Sequence, residues 1–229
     1  MKVVILAGGL GTRLSEYTKV IPKPMVKINK KPIINYIIEH YSKFGFNEFI
    51  IATGYKGNVI KNYFKNKFKK KKIQIVDTGQ NTMTGGRLKR LKSYLKDTFL
   101  MTYGDGISNV NINLLIKFHK MKKKLATLTA VRPPARFGAL KIKNGKVLYF
   151  KEKSKLDESW INGGFFVIEP KFLDYIKNDK TFLEREPLET ACRRKELNAF
   201  IHNGFWQCMD TKRDKDFLEK ILREKKIFE

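Results

Sequence analysis

The chain has 229 residues, a formal net charge of +26, and 42% hydrophobic and 12% aromatic residues. That composition excludes a disordered chain, and no apolar run reaches the roughly eighteen residues of a membrane span. Lysine far outnumbers arginine and is spread along the chain, with one dense run over residues 69–72. Base readout favours the arginine fork, and neither zinc-finger spacing nor an RNA-binding aromatic signature occurs, so a solvated basic face is expected before a nucleic-acid ligand. Cys192 and Cys208 show no metal-ligand pattern and fit a reducing cytoplasm. The N-terminus runs straight into a strand pattern, so no export leader is expected.

Residues 2–6 read as a short buried strand that leaves through Gly8, Gly9 and Gly11. Pro32 stands at the first turn of a helix carried by Ile33, Ile34, Ile37, Ile38, Tyr41 and Phe44, and Gly45 ends it. A buried strand at 49–52, a helix at 57–68, a strand at 73–76, a helix at 88–95 and a strand at 98–103 follow. Next come a helix through Leu114, Leu115 and Phe118 and a strand at 126–131. His119 falls on that lysine-rich helix and is expected at the surface without a role. Strands separated by helices of about a dozen residues predict a parallel sheet covered on both faces. The second half differs: residues 139–150 read as a hairpin around Asn144-Gly145, residues 161–168 as a strand, and two helices with a strand at 199–201 close the chain. No repeat or linker occurs, so 1–229 is read as one α/β domain whose sheet becomes mixed in the second half.

The chemistry-bearing residues begin in Leu6-Ala-Gly-Gly-Leu-Gly-Thr-Arg-Leu14. This is neither a Walker A loop nor a dinucleotide fingerprint, because Arg13 and Leu14 stand where those motifs need other residues. What remains is a glycine turn at a strand's carboxyl end, where main-chain N–H groups cradle phosphate and Arg13 adds a bidentate contact. Ten residues on, Pro22 and Pro24 stiffen the backbone around Lys23. Asp105, between Gly104 and Gly106 at the end of a strand, is by itself an ordinary turn or cap residue, or an exposed carboxylate that suits Mg2+.

Joined to Pro-Lys-Pro-Met at 22–25, the opening motif resembles the sugar-phosphate nucleotidyltransferases. The sequences at 83–90 (MTGGRLKR), 102–106 (TYGDG), 136–140 (RFGAL), 161–167 (INGGFFV) and 205–210 (FWQCMD) are similar to the glucose-1-phosphate cytidylyltransferase branch of that family. The resemblance covers nearly the whole chain. It implies a Rossmann-like, GT-A-like three-layer fold, with residues 1–131 mainly holding the nucleotide and 132–229 mainly the sugar phosphate. It further implies transfer of CMP from CTP to glucose-1-phosphate, giving CDP-glucose and pyrophosphate, with Mg2+ as cofactor and a homo-oligomeric assembly. By the same resemblance Leu6, Gly8, Gly9, Gly11, Thr12 and Gly104 surround the nucleotide, and Arg13 and Lys23 hold its phosphates and act with Asp105 in catalysis. Thr84, Gly85, Gly86 and Arg87 meet the base and ribose, and Asp105 and Asp210 are metal ligands. Gly138, Glu152, Lys153, Asn162, Gly163 and Trp206 form the sugar-phosphate side. An ionised phosphate nucleophile needs no general base, in keeping with a chain of three histidines.

Alternatives stay open at this point. Glu152-Lys153 also reads as a solvated pair, and Trp206 as core. The excursion that the branch carries between the helix near Phe68 and the strand at Ile73 is shortened here to the lysine run. Ser154 and Cys208 stand where proline is common. Base choice, oligomer state and acceptor identity are therefore open to another small phosphorylated acceptor, to UTP or dTTP, or to a non-catalytic nucleotide- or nucleic-acid-binding module.

Overall fold

The first strand explains the architecture: Val3, Val4, Ile5 and Leu6 are all buried, so helices must cover the sheet on both faces. Each such side chain contributes about 1.5–3 kcal/mol when removed from water. The computed structural model describes residues 1–65, 67, 71–134, 139–151 and 159–224. β1 (Val3–Leu6) is followed by a 3-10 turn at Thr12–Leu14, α1 (Ser15–Thr18) and a second 3-10 turn at Lys23–Met25. β2 (Lys27–Ile28), β3 (Lys31–Pro32), α2 (Ile33–Lys43), β4 (Glu48–Thr53), α3 (Gly57–Phe64) and β5 (Lys72–Asp77) come next. After α4 (Thr84–Arg90) lie β6 (Phe99–Tyr103), β7 (Gly106–Ser108), α5 (Ile112–Lys122), β8 (Ala126–Val131), β9 (Ala139–Lys143) and β10 (Lys146–Lys151). β11 (Ile161–Ile168), α6 (Glu186–Arg193), β12 (Leu197–Ile201), β13 (Trp206–Cys208) and α7 (Lys212–Arg223) complete the order.

Seven strands form the central sheet in the order β12-β8-β11-β6-β1-β4-β5. β1 runs parallel to β4 and β6, β4 to β5, and β12 to β8, while β11 inserts antiparallel between β6 and β8. One core cluster joins Val3 and Ile5 to α2, α3 and α5; a second joins Val4 and Leu6 to α4 and α6. These are the three layers the sequence predicts. A third, smaller cluster of Leu14, Val26, Ile28, Ile33, Ile107, Met209 and Leu218 seats α7 beside the short β2–β3 and β7–β13 pairs. The β9–β10 hairpin turns at Asn144 and Gly145, both at positive φ (49° and 75°), as the Asn-Gly pair predicts.

The structure corrects several boundaries and one placement. The helix read at 88–95 begins at Thr84 and gives way to a 3-10 turn at Lys92–Tyr94, and the helix read at 57–68 is α3, which ends at Phe64. His119 is buried (2% exposed) rather than on the surface. It follows Ile112 and Leu115 at helical spacing on the inner face of α5, and both ring nitrogens find partners. Nδ1 lies 2.8 Å from Thr127 Oγ1, and Nε2 lies 3.0 Å from Glu169 Oε1. Gly138, Glu152, Lys153 and Ser154 lie outside the described residues.

Candidate active site

The turn after β1 is held open from beneath. Gly11 adopts φ +67°, which favours glycine, and a Cβ there would stand 2.8 Å from Thr18 Cγ2. The Thr18 hydroxyl donates to Gly11 O (3.0 Å) and Leu14 O (3.2 Å), fixing the turn to α1. Arg87 is buried, and its guanidinium donates to the main-chain oxygens of Gly8 (2.8 Å), Thr53 (3.0 Å) and Gly79 (2.7 Å) and to Thr78 Oγ1 (2.9 Å). A Cβ at Gly8 would lie 2.2 Å from that guanidinium. Arg87 thus buckles the glycine loop to the ends of β4 and β5, with both Nη1 and Nη2 engaged by protein oxygens.

Facing the loop is a cluster of four charges. Pro22 and Pro24 flank Lys23 at the start of its 3-10 turn, and the Lys23 ammonium lies 2.5 Å from Asp105 Oδ2 and 2.6 Å from Asp210 Oδ1. Arg13 Nη1 lies 2.7 Å from Asp210 Oδ2. Lys23 is nearly enclosed, with 11% of its side chain exposed, whereas Arg13 is 73% exposed. Burial works to lower the Lys23 pKa, but Asp105 and Asp210 outweigh it and hold the ammonium above its ordinary value. Burial likewise works to raise Asp210, and Lys23 and Arg13 overcome it, keeping the carboxyl below the usual aspartate range. The neighbouring Cys208 thiol is pushed up to about 12 by burial and then by Asp210 and Asp105, so it stays neutral.

Two residues so far apart in sequence meet because β7 pairs antiparallel with β13, Gly106 opposite Cys208, and Met209 N donates to Asp105 O (2.9 Å). The capping box of α7 then fixes the loop: Asp214 Oδ2 accepts from the main-chain N–H of Asp210 (3.1 Å) and Thr211 (2.9 Å). Asp105 Oδ2 and Asp210 Oδ1 both face the ammonium, and two carboxylates converging on one small cation are a donor set that suits Mg2+ completed by phosphate oxygens.

Loop and cluster border a cleft of about 790 Å³. Of the residues the resemblance singles out, Leu6, Gly8, Gly9, Gly11, Thr12, Arg13, Lys23, Thr84, Arg87, Gly104, Asp105, Asn162, Gly163, Trp206 and Asp210 are brought together along it. Trp206 packs against the core and lines the cleft, and its Nε1 donates to Gly163 O (2.7 Å). Gly85 and Gly86 are absent from the lining. They sit inside α4 against residues 179–183, where a Cβ would lie 2.7 Å from Thr181 O and 2.5 Å from the Asp179 backbone. Their smallness lets α4 dock there. Tyr103, Phe182 and Glu184 also line the cleft without having been singled out. Tyr103 lay within the 102–106 motif, but Glu184 had no local sequence signal.

An anion-cradling loop at the carboxyl edge of an open α/β sheet, faced by positioned cations and a carboxylate pair, defines an enzyme that moves phosphate-linked groups between nucleotides and acceptors. The chain belongs to the nucleotidyl transferase family, whose profile matches residues 2–222. It is 52% identical to the glucose-1-phosphate cytidylyltransferase of Salmonella typhimurium, in an alignment covering 99% of this chain and 97% of that protein. That alignment spans 250 positions, so the relative carries residues with no counterpart in this shorter chain. A probable glucose-1-phosphate cytidylyltransferase of Bacillus subtilis is 42% identical over 92% of each chain. Among solved structures, HddC from Yersinia pseudotuberculosis superposes with a TM-score of 0.77 at 25% identity, covering 96% of this chain and 99% of that one.

Proposed function

We propose that this protein transfers CMP from CTP to glucose-1-phosphate, yielding CDP-glucose and pyrophosphate, with Mg2+ as cofactor and in the cytoplasm. The observation that carries the reading is the Arg13–Lys23–Asp105–Asp210 cluster at the mouth of the glycine-loop cleft. A phosphate oxygen of glucose-1-phosphate attacks the α-phosphorus of CTP. The new P–O bond forms as the bond from that phosphorus to the β-phosphate's bridging oxygen breaks, and pyrophosphate carries the electron pair away. The nucleophile is ionised at neutral pH, so no proton has to be removed, and among the described residues no histidine lines the cleft.

The protein's task is electrostatic: two polyanions must meet, and charge grows on the leaving group. Gly8, Gly9, Gly11 and Thr12 offer main-chain N–H groups to the triphosphate, while Arg13 and Lys23 hold its outer phosphates and the departing pyrophosphate. Asp105 and Asp210 would hold Mg2+, which supplies further neutralisation of the triphosphate when bound. Residues 1–131 carry mainly the nucleotide, and 132–229 mainly the sugar phosphate through Asn162, Gly163 and Trp206, with Gly138, Glu152 and Lys153 completing that side. Assembly of several copies belongs to the same reading. Its support is the β9–β10 hairpin, which exposes Leu140, Ile142, Leu148 and Phe150, and light scattering on the purified protein tests it. A second acceptor reading, transfer to another small phosphorylated metabolite, draws on Cys208, which ends β13 two residues before Asp210.

Pyrophosphate release is measured with CTP, UTP and dTTP, each with and without glucose-1-phosphate and Mg2+. Release that needs CTP, glucose-1-phosphate and Mg2+ together is the expected result. Equal rates with UTP or dTTP, or release indifferent to the acceptor, would contradict the proposal.

A further inference from the structure

Among the described residues, three carboxylates line the cleft: Asp105, Asp210 and Glu184. The first two are matched by Lys23 and Arg13. Among the described residues Glu184 is matched by no cation. It is held by two neutral hydroxyls, with Tyr103 Oη donating to Oε1 (2.5 Å) and Thr84 Oγ1 to Oε2 (2.6 Å). Thr84 Oγ1 in turn accepts from Leu183 N (2.9 Å), and the Tyr103 hydroxyl also meets the side chain of Asn162. The carboxylate is therefore aimed by groups from α4, β6 and β11. Each of its oxygens retains a free lone pair for one more donor.

A fixed carboxylate with no cation beside it among the described residues is costly in a cleft that collects phosphates, unless it serves an uncharged part of the substrates. Asn162 and Gly163, beside it on the cleft wall, belong to the half that takes the sugar. We propose that Glu184 is a specificity-determining residue for the acceptor: it accepts hydrogen bonds from hydroxyls of a neutral sugar ring and rejects a sugar-1-phosphate that carries a second acid. The proposal rests on the cytidylyl-transfer reading and adds the class of acceptor to it. Tyr103 and Thr84 act as positioning residues for that carboxylate.

The test compares glucose-1-phosphate with glucuronic acid 1-phosphate, which differs by a carboxylate at C6, as acceptors for CTP in the unaltered protein, Glu184→Gln and Glu184→Asp. Turnover of glucose-1-phosphate by the unaltered protein is measured first, and its absence would count against the function rather than against this role. The unaltered protein is expected to prefer glucose-1-phosphate in kcat/KM. Glu184→Gln is expected to shift the ratio toward the uronic acid by about tenfold, equivalent to about 1.4 kcal/mol of like-charge repulsion removed. Glu184→Asp, which keeps the charge, is expected to keep the preference even where overall activity falls. A purely structural Glu184 would lower both acceptors equally in both variants, and an unmoved ratio in Glu184→Gln overturns the proposal. Equal use of both acceptors by the unaltered protein overturns it as well.

Discussion

Replacing Lys23 with alanine tests the charge cluster through stability, independently of turnover. The substitution leaves Asp105 and Asp210, both on the same ammonium at 2.5 and 2.6 Å, facing each other without it. Breaking a fully buried pair costs about 3–5 kcal/mol, and an exposed pair about 0–1 kcal/mol. The three side chains are 11%, 29% and 16% exposed, which places the cost between those limits, at about 2 kcal/mol. For a chain of this size that lowers Tm by about 4–8 °C. Thermal unfolding followed by circular dichroism at neutral pH, with and without millimolar Mg2+, reads the effect. Mg2+ is expected to restore much of the loss in the variant, because the uncompensated carboxylates bind a hard cation in the native state. The sign of the pH dependence follows from the same repulsion. With like charges adjacent and no ammonium, one carboxyl has a raised folded pKa, so the penalty is full at neutral pH and fades as the pH falls through that value. A variant with an unchanged Tm and no response to Mg2+ would refute the reasoning.

Three further outcomes follow from the same contacts. Asp105→Asn keeps the shape of the cluster and is expected to leave Tm within a few degrees while turnover falls on the order of a hundredfold or more; near-normal turnover would remove Asp105 from the machinery. Arg87→Lys keeps the charge but replaces the fork that gathers the oxygens of Gly8, Thr53 and Gly79. A loss of about 3 kcal/mol or more is expected in urea unfolding, together with weaker CTP binding, and unchanged stability would contradict the buckle. His40 is buried with Nε2 2.9 Å from Val110 O, and burial lowers its pKa to about 4 from 6.5. The unfolded chain therefore takes up that proton first as pH drops. Its contribution is intact above pH 6.5 and is lost progressively down to about pH 4, amounting to about 3 kcal/mol. His202, whose pKa is also lowered by burial, adds to the slope in the same direction. His40→Gln keeps a donor for Val110 O and is expected to flatten this part of the stability-pH curve, and an unchanged curve would count against the assignment.

Much of the fold was legible because its signals are local. Val3 to Leu6, the Pro22–Pro24 brace, the Asn144-Gly145 turn and the helical period of α2 each carry their conformation in a few adjacent residues. The antiparallel insertion of β11 between β6 and β8 and the β7–β13 pair were not legible, since both depend on partners distant in the chain. That second pair is what brings Asp210 to Asp105. The motif at 205–210 marked Asp210 by resemblance alone. His119 was misjudged because its lysine neighbours dominated a helix whose inner face runs through Ile112 and Leu115. Gly85 and Gly86 meet a second demand that no local pattern reveals, since a Cβ at either would strike the chain at 179–183. Glu184 is defined wholly by tertiary partners, Tyr103 and Thr84, and sits in no pattern that spacing reveals.

The most direct measurement is a crystal structure of the protein with a CTP analogue, non-hydrolysable at the α,β bridge, and Mg2+. The account predicts the triphosphate along residues 8–13, its outer phosphates within hydrogen-bond reach of Arg13 and Lys23, and the metal on Asp105 and Asp210. A triphosphate bound away from Arg13 and Lys23 would contradict it.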